Sequence, residues 1–132
     1  MGEDELRVDA LKANVKNMRT ELHMYNEQIQ NLNKFIEFTE REIELKKKLL
    51  PIVTKHNKRL RPSYEFEEKP EFLAIQSELD ELSIEKALYD LQLKIKRYNH
   101  QLNNALTETA RLESHLPEAE KQLTEAEGEL HG

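Results

Sequence analysis

The groups in this sequence best suited to chemistry are five histidines, His23, His56, His100, His115 and His131, which could ligate a metal or move a proton near neutral pH. Their spacings form no ligand set with one another, and the chain has no cysteine to complete one. A helical hairpin could bring His23 and His100 toward each other, but neither lies on an apolar seam, so polar surface residues are the expected account. There is no Gly-rich phosphate loop and no Gly-flanked serine, and the carboxylates fall on outward helix positions. A non-enzyme with no metal and no cofactor is therefore expected. Tyr64, between Glu65 and Glu67 in the expected loop, is a candidate for phosphorylation, although exposed tyrosines beside acids are common.

Charge is the next chemical resource. Lys46, Lys47, Lys48, Lys55, Lys58, Arg59 and Arg61 crowd one stretch with His56 and no acid, whereas Glu3, Asp4, Glu5 and Asp9 are matched by Glu113, Glu118, Glu120, Glu125, Glu127 and Glu129 near the other terminus. In a hairpin these would form a basic tip, with Lys55, Lys58, Arg59 and Arg61 as its docking candidates, and an acidic base. Such a tip suits an acidic protein surface, lipid headgroups or nucleic acid. The plainer account is solvated charge, with Lys46 to Lys48 complementing a helix C-terminus. The net charge of −6 and the acidic continuation Glu65, Glu67 and Glu68 argue against nucleic acid.

The elements that position these groups are written in a heptad rhythm. Val8, Leu11, Val15, Met18, Leu22, Tyr25, Ile29, Leu32, Ile36, Thr39, Ile43, Lys46, Leu50 and Val53 follow alternating steps of three and four. The rhythm returns in Ile84, Leu88, Leu91, Ile95, Tyr98, Leu102, Ala105, Thr109, Leu112, Leu116, Ala119, Leu123, Ala126 and Leu130. Two long helices, each burying a narrow seam, are expected. With 37% hydrophobic and 35% charged residues and only 3 glycines, the chain is too polar for a round globule and too regular for disorder. The fold class expected is all-α: a single module built as a long antiparallel helical hairpin, or coiled coil.

Prolines set the expected boundaries. Pro51 should end helix 1, giving about 5–53, followed by a basic, proline-rich connection over about 54–69. Helix 2 should begin at Pro70 or Glu71 and run to about 115, and Pro117 should kink it or restart a separate helix over about 117–129, capped near Ser114 or Leu116. If seam residues face each other with numbers totalling 127, Ile43 meets Ile84, Ile36 meets Leu91 and Val8 meets Ala119, with the turn near Ser63 and Tyr64. A total of 120 or 134 keeps the rhythm but moves the turn toward an edge of the connection. About 48 residues per helix predict a hairpin of about 70 Å.

A second apolar stripe lies off this seam. Phe35, Phe38, Leu45, Leu49 and Ile52 occupy g and c positions of the first heptad series, and Phe72, Ile75, Leu79, Leu82, Tyr89 and Leu93 occupy b and f positions of the second. Burying such a side chain is worth roughly 1.5 to 3 kcal/mol, so an unpaired stripe marks an interface. Either helix 2 changes phase before Ile84 and folds the stripe back onto helix 1, or two hairpins meet at their turn-proximal halves as a four-helix bundle, or a different protein covers it. Because a narrow seam barely offsets the backbone entropy of ordering it, a homodimer is expected.

These features predict a non-catalytic protein–protein interaction and oligomerisation module of a larger intracellular scaffold or adaptor, with a helical finger recognising a regulatory partner such as a small GTPase as the alternative. No apolar run is long enough for a membrane span, and the acidic start is unlike a secretory signal. A cytoplasmic setting, with the cytoskeleton among the candidates, is the expectation. The ending Glu129-Leu130-His131-Gly132, still in heptad phase, suggests a piece of a longer coiled-coil protein.

Overall fold

A computed structural model describes residues 2–60 and 68–131, with side chains described for 2–57 and 71–131. Two long helices pack against each other as a hairpin: α1 over Glu3–Leu60, of 58 residues, and α2 over Glu68–His131, of 64 residues. Glu3, Asp4 and Glu5 place negative charge in the first turn of α1, where the helix dipole favours it, and the Leu6 N–H donates to the Gly2 carbonyl at 3.0 Å to close that turn. The chain divides into two compact units, one of Met1–Asn33 with His100–Gly132, the other of Lys34–Asn99.

Both internal prolines are accommodated within helix. α1 continues past Pro51 to Leu60 rather than weakening near 53, and α2 continues past Pro117, so the expected separate segment and its cap near Ser114 or Leu116 do not form. Pro51 and Pro117 are exposed, each one residue after a seam leucine, Leu50 or Leu116. The carbonyl that each proline leaves without its N–H belongs to Lys47 or Glu113, both exposed residues at which water can satisfy it. The flanking seam residues hold the turn in place. α2 also begins two residues before the expected Pro70.

The seam itself follows the sequence closely. In the unit of Met1–Asn33 and His100–Gly132, Val8, Val15, Leu32, Ala105, Thr109, Leu112, Ala119 and Ala126 are buried, with Leu112 at 1% exposure. In the unit of Lys34–Asn99, the buried positions are Leu91, Thr39, Asn57 and Ser77. The three-four step runs past Val53 to Asn57, and backward from Ile84 through Glu81 and Ser77 to Ala74, all of them at least half-buried. α2 therefore keeps one phase, and the expectation of a phase change before Ile84 is overturned.

The register differs from the one favoured by the sequence by one heptad. Asn57 Nδ2 donates to the Ser77 carbonyl at 3.4 Å, a seam pair whose numbers total 134 rather than 127. In the same unit the Phe35 and Tyr98 rings stack with centroids 5.8 Å apart, at the level this register sets. In the other unit, Arg7 Nη1 reaches Glu129 Oε2 at 3.3 Å and Arg19 Nη2 reaches Glu120 Oε1 at 2.9 Å, joining g to g and e to e rows in the same register. The physical reason lies at the end of α2. A total of 127 sets Leu123 against Asp4, whereas 134 sets it against Leu11 and sets Ala126 against Val8, and both Val8 and Ala126 are 4% exposed. The expected turn centre at Ser63 and Tyr64 lies outside the described residues.

Candidate functional site

The continuous seam decides where the second stripe goes. With Ala74, Ser77 and Glu81 turned inward, residues two before or one after each a position of α2 are turned away from α1. Phe72, Ile75, Leu79, Leu82, Tyr89 and Leu93 are accordingly all exposed, and so are Phe35, Phe38, Leu45, Leu49 and Ile52 on α1. Every one belongs to the unit of Lys34–Asn99. Exposure ranges from 37% at Leu93 to 67% at Phe38, so no part of the stripe is folded back as a core. The facing pairs Leu45 with Leu82 and Ile52 with Ile75, which a phase change would have made, are absent. Phe35 is engaged on one side, since its ring stacks on Tyr98 at an interplanar angle of 22°.

The seam beneath the stripe is interrupted by polar residues, Thr39, Lys46 and Asn57 on α1 and Ser77 and Glu81 on α2. Thr39 Oγ1 donates to the Phe35 carbonyl at 2.6 Å, which satisfies the hydroxyl within α1. Lys46 is half-buried on the seam and turns its ammonium out to Glu42 at 3.4 Å. Asn57 against Ser77 supplies a polar pair that favours one register over its neighbours, at a cost in stability.

The rim of the stripe is charged. On α1 the exposed f positions are Lys34, Arg41, Lys48 and Lys55, all basic. Glu44 stands between two of them, 3.0 Å from Arg41 and 3.1 Å from Lys48. The hydrogen bond from Lys48, then that from Arg41, holds its carboxyl below the usual carboxylate range. On α2 the exposed e positions beside the stripe are Glu71, Glu78, Glu85 and the neutral Gln92.

Of the basic tip, Lys55 is exposed; Lys58 and Arg59 lie in α1 but their side chains, and all of Arg61, lie outside the described residues, as does Tyr64. The histidines are not brought together: His23 Nε2 sits 3.1 Å from Glu27, and His100 Nε2 sits 3.5 Å from Asn104. Among the described residues no group of His, Asp and Glu is arranged to hold a metal ion, and no helix is long and apolar enough to cross a membrane.

Sequence reasoning missed Asn57, Ser77 and the basic and acidic rows beside the stripe. The signal for Asn57 and Ser77 is the heptad step carried on from Val53 and back from Ile84 through Glu81. No protein-family model, no curated protein and no solved structure matches the chain.

Proposed function

We propose that this chain is a non-catalytic, self-assembling coiled-coil module of a larger intracellular scaffold or adaptor protein, and that the unit of Lys34–Asn99 is where its copies meet. The observation that carries this reading is the confinement of a long apolar stripe, exposed on both helices, to one unit whose own seam is interrupted by Thr39, Lys46, Asn57, Ser77 and Glu81. Contiguous apolar surface of this kind is uncommon on a monomer and common at interfaces. The smallest product is a dimer of hairpins, with four helices in cross-section.

Sedimentation equilibrium tests the reading. The wild-type chain should associate at tens of micromolar, and a variant with Phe38, Leu45, Leu79 and Leu82 all replaced by glutamate should be a helical monomer. A wild-type chain that stays monomeric would contradict self-assembly and favour the alternative of a helical finger presenting the stripe to a different regulatory protein.

A further inference from the structure

The stripe is two stripes, and they face different ways. In an antiparallel pair the g rows of both helices lie on one side of the seam and the e rows on the other. The α1 stripe, on c and g, lies on the g side. The α2 stripe, on b and f, lies on the back of its helix and leans to the e side. At 3.6 residues per turn, their directions differ by roughly 130° about the hairpin. A second hairpin laid on one stripe cannot also cover the other.

Each stripe is a seam in its own right. The positions 35, 38, 42, 45, 49 and 52 of α1 step by three and four, as do 72, 75, 79, 82, 86, 89 and 93 of α2; only Glu42 and Lys86 interrupt the apolar run. Treated as new heptads, the basic row of α1 and the acidic row of α2 both occupy the position just before the first apolar residue, which is the g position of these new seams. Rows at g face each other only when the helices run antiparallel. Paired like with like in that orientation, two α1 stripes would oppose lysine to lysine, and two α2 stripes glutamate to glutamate. Paired α1 to α2, one register sets Leu45 against Leu79 and Leu49 against Ile75, and at the same time brings Arg41 to Glu85, Lys48 to Glu78 and Lys55 to Glu71. All six of these charged side chains are exposed. Arg41 and Lys48 already share Glu44 within α1, so the new pairs would extend an existing network rather than rescue isolated charges.

We infer that the α1 stripe of one copy docks antiparallel on the α2 stripe of a second copy, with the flanking basic and acidic rows selecting that pairing. This rests on the self-assembly reading and makes its contact heterologous: a dimer keeps one free α1 stripe and one free α2 stripe, so assembly continues into a ring or an open array.

Two blocked chains test it. One carries Phe38→Glu and Leu45→Glu on α1; the other carries Leu79→Glu and Leu82→Glu on α2. These positions are exposed, off the intrachain seam, and glutamate favours helix, so circular dichroism should show both chains as helical as the wild type. Sedimentation should find each blocked chain monomeric alone, their equimolar mixture stopping at a 1:1 dimer, and the wild type growing beyond a dimer with concentration. Arg41→Glu with Lys48→Glu, added to the α2-blocked chain, should weaken the mixed dimer by about tenfold or more, and Glu85→Lys with Glu78→Lys on the other chain should restore it. Self-association of either blocked chain, or no pairing in the mixture while the wild type still associates, overturns the α1-to-α2 contact and leaves the self-assembly reading standing. Failure of the reversed charges to rescue overturns the antiparallel pairing of the rows. A wild-type chain that never associates overturns both.

Discussion

The two units of this hairpin divide the work of a helix pair unequally. The unit of Met1–Asn33 and His100–Gly132 buries valine, leucine and alanine along its seam, ties its helices with two cross-helix ion pairs, and leaves Leu6, Met24 and Leu106 as its exposed large apolar side chains. The unit of Lys34–Asn99 buries Leu91 as its one fully covered apolar residue among those described, half-buries the other aliphatic residues of its seam, interrupts them with Thr39, Lys46, Asn57, Ser77 and Glu81, and turns Phe35, Phe38, Phe72 and seven large aliphatic residues outward. One unit spends its apolar residues on its own seam. The other divides its apolar residues between its own seam and an exposed stripe.

The largest test of this contrast compares two leucines. Leu112→Ala, at a seam position with 1% exposure, should lower stability by about 2 to 5 kcal/mol in thermal or denaturant unfolding. Leu79→Ala, 54% exposed, should change the dilute monomer by well under about 1 kcal/mol. Equal losses in dilute solution would erase the distinction between the units.

The next test exploits a flaw in the better-packed seam. Thr109 Oγ1 is buried with no hydrogen-bond partner, unlike the Thr39 hydroxyl, which the Phe35 carbonyl accepts. A buried hydroxyl left unpaired costs about 1 kcal/mol or more. Thr109→Val should therefore raise Tm by a few degrees, and Thr39→Val should raise it less. The reverse order would show that the two hydroxyls are not satisfied differently.

Smaller effects follow from exposed charge. Arg19→Ala should cost roughly 0.2 to 1 kcal/mol and lose its effect in high salt, because the bridge to Glu120 is solvent-facing. The smallest is a pH effect at Glu44. Lys48, and after it Arg41, depress its pKa in the folded chain, so its contribution is present above the unfolded value and is lost as pH falls through the lower folded one. Unfolding curves of Glu44→Gln should match the wild type's acid loss less steeply below pH 4.5, and not differ in slope near neutrality.

The sequence carried the hairpin and the location of its exposed apolar residues, because a three-four step fixes which side of a helix a residue takes before any partner is known. Every seam position from Val8 to Val53 and from Ile84 to Leu130 is covered in the structure, and the eleven residues assigned to the second stripe are exposed. Helix ends and register were less legible. Pro51 and Pro117 mark breaks only where the lost hydrogen bond is not compensated, and at these outward positions water and the seam compensate it. Register was ambiguous because shifting a heptad leaves the pattern unchanged. Only the termini and polar seam positions distinguish one heptad shift from the next, and the polar Asn57 and Ser77 lie just outside the apolar runs that end at Val53 and begin at Ile84.

Hydrogen exchange followed by mass spectrometry across a concentration series tests the central claim most directly. Under the proposed self-assembly, amides in Lys34–Asn99 should gain protection as concentration rises, while those in Met1–Asn33 and His100–Gly132 change little, because the exposed apolar stripe lies only in Lys34–Asn99. Protection independent of concentration, or a gain confined to the second unit, would contradict it.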